Sequence, residues 1–178
     1  MKTPLSKLSM HGCLLLLGSI MLWQCGSIGQ KSPADLYNQY YEPFPAPTVV
    51  NGEDGEEDRE TWNRAGKLYG EGDFVGAIEG FKQALGNPRP PDATVNFYLG
   101  VSHLALSPSQ PKEAIPYFDA VLKEKKAKYF EEARWYRAIA YLNWGKISEA
   151  KIMLARLIQE GGFKQAEATK LYDQLPKE

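Results

Sequence analysis

The residues that carry most protein chemistry are scarce in this chain. It has two cysteines, Cys13 and Cys25, both near the N-terminus. From Gly26 to Glu178 no internal disulfide can form, which excludes a disulfide-stapled scaffold over that stretch. Only two histidines occur, His11 and His103, and neither has a Cys or a second His at ligand spacing. There is no GxSxG turn, no phosphate-binding glycine loop and no metal-type pair on one helix face. Adjacent carboxylates such as Glu56-Glu57 and Glu131-Glu132 diverge on a helix instead of converging as an acid/base pair. Neither sign of charge dominates: the net charge is −1, so no basic field points to nucleic acid. These absences lead to the expectation of a non-enzymatic protein with no cofactor and no metal.

Long hydrophobic runs are also few. The one at the start, Cys13 to Trp23 (CLLLLGSIMLW), follows Lys2 and Lys7. A bilayer-spanning helix needs roughly 20 apolar residues, so this shorter run behind a positive flank reads as a secretory signal. Cys25 sits directly after it, in Leu22-Trp23-Gln24-Cys25, where a lipoprotein signal would be cut and the new terminal Cys acylated. Three outcomes stay open for residues 1–27: lipidation at Cys25, plain cleavage near Ser27 or Gly29, or retention as an anchor. All three place the remainder in the cell envelope, on the periplasmic side, membrane-associated or exported.

Residues 28–58 carry no helical period. The run YNQYYEPFPAP, Tyr37 to Pro47, has prolines at 43, 45 and 47, and each biases its predecessor toward extended geometry. An extended strap is therefore expected, followed by an acidic linker that includes Glu53, Asp54, Glu56, Glu57 and Asp58. Tyr37, Tyr40, Tyr41 and Phe44 are too aromatic for a plain disordered spacer and should cover a surface.

What the chain does have is a repeat, over residues 59–178. Small residues recur in the first helix of each unit (Ala65, Gly100, Ala138) with an aromatic three positions earlier (Trp62, Phe97, Trp135). The second helices repeat a small residue (Ala77, Ala114, Ala150), then a large apolar one (Phe81, Phe118, Leu154), then Ala84, Val121 and Leu157. The small residues are 12, 14 and 12 apart within a unit, the extra two falling in the loop Ser107-Pro108-Ser109-Gln110-Pro111. Small side chains let two helices approach, and flanking apolar ones interdigitate around the crossing. Turn signals stand at Gly72-Asp73 and Gly145-Lys146, and Asn87 to Pro91 (NPRPP) closes the first hairpin. A helix from about Phe163 to Leu175 should cap the stack, and Lys123, Lys125, Lys126 and Lys128 should form a solvated loop.

Gly72-Asp73-Phe74 with Ala77-Ile78, Phe81 and Ala84-Leu85 resembles the second half of a tetratricopeptide repeat, and Tyr98-Leu99-Gly100 resembles the first half. Arg64 and Arg137 depart from that pattern at a position usually filled by Leu. The layout is similar to small envelope proteins of Bacteroidetes-type bacteria, in which an aromatic–proline strap leads into three degenerate repeats. The resemblance implies an all-α fold: a short α-solenoid of three TPR-like hairpins plus a capping helix, behind an N-terminal signal or anchor helix. It also implies a protein or peptide partner and a domain that is monomeric outside a complex. In such stacks the first helices line a concave face, which here would carry Trp62, Tyr69, Phe97, Val101, Leu104, Trp135, Ile139 and Leu142. Two functions compete: an adaptor that binds a protein or peptide in this apolar groove, and a structural or assembly lipoprotein subunit of an outer-membrane complex. The strap is expected to pack on the helical domain, over the groove or the side of the first hairpin.

Overall fold

The computed structural model describes residues 31–49, 56–86 and 90–176. The signal or anchor segment, Cys25 and the Asn87–Arg89 part of the first closing loop lie outside the described residues. The described residues form eight helices and no strand: α1 Pro33–Tyr40, α2 Glu56–Gly70, α3 Phe74–Ala84, α4 Asp92–Ala105, α5 Pro111–Leu122, α6 Phe130–Asn143, α7 Ile147–Glu160 and α8 Gln165–Gln174. The fold is all-α.

Helices α2 to α8 each pack mainly on their neighbours in the chain, as three successive hairpins and a final helix do. The α2–α3 pair is antiparallel, with Ala65 against Gly80 and Leu68 against Gly76. Two of the intra-hairpin turns need a left-handed residue, and glycine supplies it at Gly72 (φ 83°) and Gly145 (φ 75°). Asp73 then caps α3, accepting a hydrogen bond from the Gly76 N–H at 3.0 Å.

The small residues meet differently from the simple pairing that the repeat implies. A Cβ on Gly80, not one beside Ala77, would crowd Ala65, lying 2.8 Å from the Ala65 methyl. Gly100 faces no small partner: it makes room for the Phe118 ring, which would stand 2.6 Å from a Cβ there. In the middle hairpin the insertion in the α4–α5 loop goes with a ring-into-gap contact instead of a close backbone crossing.

Two boundaries differ from the sequence expectation. The segment 28–58 is not extended throughout, because Pro33–Tyr40 is a helix. Ser32 and Asp35 form a reciprocal capping box, and Pro33 stands at the first helical position, where a missing N–H costs nothing. The prolines that impose extension begin only at residue 43. The second difference is that α2 already runs at Glu56, three residues before 59. Its first turn includes Glu56 and Glu57, which suit the positive end of a helix dipole.

Helix α4 is the centre of the structure. Eleven of its residues are buried, from Ala93 to Leu104, on every face of the helix. Helices α3, α5 and α6 cover part of it. The rest is covered by the segment that precedes α2.

Candidate functional site: a strap-filled helical face

The face built by α2, α4 and α6 is not open. Residues 33–49 lie on it, starting at the third hairpin and running back to the first. Helix α1 packs against α6 and α8. Leu36 is fully buried, Tyr37 and Tyr40 nearly so. The Tyr37 hydroxyl donates to the Leu104 carbonyl at 3.1 Å. Tyr40 sets its ring edge-on to Trp135, and its hydroxyl accepts from Gln174 Nε2 at 2.6 Å.

From Tyr41 the chain is extended and crosses the face. Phe44 enters an aromatic cage, with ring centroids 4.8 Å from Phe97, 5.6 Å from Tyr129, 6.0 Å from Tyr136 and 6.1 Å from Tyr98. All four are edge-on, the arrangement in which ring quadrupoles attract. Further along, Ala46 lies at Gly70 and Pro47 at Gly66. A Cβ on Gly66 would stand 2.7 Å from the Pro47 ring, so only glycine admits the strap this closely.

Several polar groups are matched as well, although the buried Tyr41 hydroxyl and Trp135 indole N–H have no hydrogen-bond partner among the described residues. The hydroxyls of Tyr136, Tyr69 and Tyr98 donate to the carbonyls of Glu42 (2.8 Å), Phe44 (2.7 Å) and Pro45 (3.3 Å). The Trp62 indole N–H reaches the Thr48 carbonyl at 3.4 Å. Burial raises the pKa of Tyr69 and Tyr136 well above the ordinary tyrosine range. It does so for Tyr98 too, where the hydrogen-bonded contact with Tyr129 adds to it. All three therefore stay protonated, as donors to the strap require. At the rim, Lys164 pairs with the Glu42 carboxylate at 2.7 Å and holds it below the usual carboxylate range. Glu42 is largely exposed, so this pair orients more than it stabilises.

The residues expected to line the concave groove are accordingly all buried: Trp62, Tyr69, Phe97, Val101, Leu104, Trp135, Ile139 and Leu142 are each at most 4% exposed. Trp62, Tyr69, Phe97, Leu104 and Trp135 touch the strap directly. Val101, Ile139 and Leu142 belong to the continuous core. The strap residues Tyr37, Tyr40, Tyr41 and Phe44 all pack on the domain, Tyr41 stacked on Tyr37 and edge-on to Tyr136.

Sequence reasoning missed Tyr98, Tyr136 and Gly70 as strap-contacting positions. A signal for two of them was present: Phe97-Tyr98 and Trp135-Tyr136 are aromatic pairs at the same place in successive repeats. His103 stacks on Tyr117 and shares a hydrogen bond with Gln110 at 2.8 Å. Lys123, Lys125, Lys126 and Lys128 are exposed. Among the described residues no group of three or more His, Cys, Asp or Glu side chains is placed to hold a metal ion. No helix among them is long and apolar enough to cross a membrane.

Compared with protein-family models, with characterised proteins and with solved structures, the chain matches none.

Proposed function

We propose that this protein is a non-enzymatic interaction adaptor of the cell envelope: a short TPR-like solenoid that recognises a peptide or protein through its α2–α4–α6 face. One observation carries the reading. That face already holds an extended peptide, its own strap, by inserted side chains and by four side-chain donors aimed at main-chain carbonyls. A surface built this way for main-chain acceptors, with a ring cage at its middle, has the features of a peptide-recognition groove. The tether makes strap binding intramolecular, at an effective concentration in the mM range, so a partner must displace the strap or bind beside it.

In-cell photo-crosslinking tests this. Probes at the buried Trp62, Phe97 and Trp135 would report only the strap, so they belong at the exposed Pro43 and Ala46 and, with the strap loosened by Phe44→Ala, at Tyr69. The adaptor reading expects a discrete partner adduct at Tyr69 that the intact strap suppresses. Adducts that ignore the state of the strap would favour the other reading, a structural lipoprotein subunit held by its outer surface. Membrane attachment through Cys25 is tested separately: Cys25→Ala releases a lipidated protein from the membrane fraction and leaves an exported or anchored one where it was.

A further inference from the structure

The strap shows what chemistry the face can read. Along residues 41–49, Tyr41, Phe44 and Pro47 turn inward, while Glu42, Pro43, Pro45, Ala46, Thr48 and Val49 are exposed. A β-strand would alternate every second residue. An inward side chain at every third residue is instead the repeat of a polyproline II helix. The backbone of Tyr41, at φ −77° and ψ 127°, lies near that region.

The contact is also one-sided. The face offers donors, Tyr69, Tyr98, Tyr136 and Trp62, and the strap offers carbonyls. In return, no backbone N–H of residues 42–49 donates to a described residue. A ligand suited to such a face has carbonyls displayed around its axis and no N–H that requires a partner. Proline supplies this by removing the N–H and fixing φ, and a segment already extended loses little entropy on docking.

The extended limb can leave without the rest of the strap. Helix α1 has its own anchors in Leu36, Tyr37 and Tyr40 on α6 and α8. Beyond Tyr41, only Phe44 and Pro47 point inward, and the other six residues of 42–49 are exposed.

Resting on the adaptor reading, we propose that the partner presents a polyproline II segment, with aromatic side chains at its first and fourth positions and proline at its seventh. This segment replaces residues 41–49 on the face, so the protein's own strap is a built-in competitor for its ligand.

The probe is a synthetic nonapeptide of the strap itself, Tyr41 to Val49 (YEPFPAPTV), carrying a fluorophore and titrated into the full chain by anisotropy. Two proteins are compared, the unaltered one and Phe44→Ala, with helical content checked by circular dichroism. The peptide should bind Phe44→Ala at least about tenfold more tightly than the unaltered chain, because the competing limb has lost its anchor. Replacing the peptide's phenylalanine by alanine should remove that binding. Replacing its three prolines by alanine should weaken it several-fold, and Tyr98→Phe in the protein should weaken it too.

Equal binding of the proline and alanine peptides would overturn the polyproline II assignment and leave the face a peptide groove of another class. Failure of every peptide on a helical Phe44→Ala protein would sink both the assignment and the adaptor reading. If Phe44→Ala loses its helix, the unaltered chain decides: the proline peptide must compete there more strongly than its alanine counterpart at high concentration, or the proposal falls. A concentration-dependent dimer of the unaltered chain, dissolved by the nonapeptide, would make a second copy the occupant and overturn the assignment to a different protein.

Discussion

Truncating Phe44 tests the largest single contribution to strap docking. Its ring meets four aromatic side chains edge-on and is half-buried. Complete burial of such a side chain contributes about 1.5–3 kcal/mol, and each aromatic pair adds about 0.5–1.5 kcal/mol beyond burial. Partial exposure reduces the first figure, and four pairs sharing one ring do not add in full. Loss in Phe44→Ala should then be about 2–3 kcal/mol, below the roughly 3–5 kcal/mol of a fully buried phenylalanine. The damage has a ceiling: once the limb is detached, further weakening of its contacts costs nothing more. In a two-state melt the loss should lower Tm by about 4–12 °C, at about 2–4 °C per kcal/mol for a domain of this size. Far-ultraviolet circular dichroism at low temperature should be nearly unchanged, while binding of a hydrophobic dye should rise as Phe97, Tyr98 and Tyr129 lose their cover. A Tm within a degree of the unaltered protein, with no added dye binding, would show that Phe44 does not hold the strap.

Three further outcomes follow from the same contacts. Gly66→Ala improves the intrinsic helix propensity of α2 by about 1 kcal/mol but drives a methyl into Pro47. It should therefore raise dye binding and the rate of proteolysis near Thr48 even where global stability is unchanged. Ala138→Leu puts extra methylenes into fully buried space on α6 and should cost about 1–3 kcal/mol in chemical denaturation, a neutral result placing that residue off the helix crossing. Alkaline pH should also release stability. Tyr69, Tyr98 and Tyr136 have folded pKa values raised above the ordinary value of 10.0. Their stabilisation is complete below that value and is lost as pH climbs from it toward the folded values, by up to about 1.4 kcal/mol per group for each pH unit. Tm should be insensitive to these groups between pH 7 and 9, fall above pH 10 and fall less steeply in Tyr69→Phe.

Much of the fold was legible because helices advertise themselves at short range. The recurrence of small and aromatic residues marked the hairpins, and Gly72 and Gly145 marked turns that only a left-handed residue completes. The register of the crossings was harder. Nothing local says that Ala65 should meet Gly80 instead of Ala77, or that Gly100 accommodates a ring, since both depend on how far one helix slides along the other. Helix α1 was missed because eight residues give little periodicity and Pro33 reads as a breaker unless it is recognised as a helix start. That the strap would pack on the domain was legible from its aromatic residues, but how it lies there was hidden for a related reason. In that segment every third residue faces inward, a period that helix and strand patterns both overlook. The all-round burial of α4 was the visible sign that something besides its neighbouring helices had to cover it.

The central claim is that the extended limb of the strap lies along α2, and a disulfide measures this most directly. A Cβ built on Gly70 stands 3.4 Å from the Ala46 methyl. Disulfides span Cβ separations of about 3.5–4.5 Å, so Ala46→Cys with Gly70→Cys should bridge with little adjustment. In a background with Cys13 and Cys25 replaced by serine, mild oxidation should give a single intramolecular bond in nearly all molecules. The oxidised protein should melt at a higher temperature than the reduced one, and an Ala46→Cys, Gly86→Cys pair should stay unbridged. Free thiols after oxidation, or bridges that form only between two molecules, would contradict the placement of the strap on its own helical face.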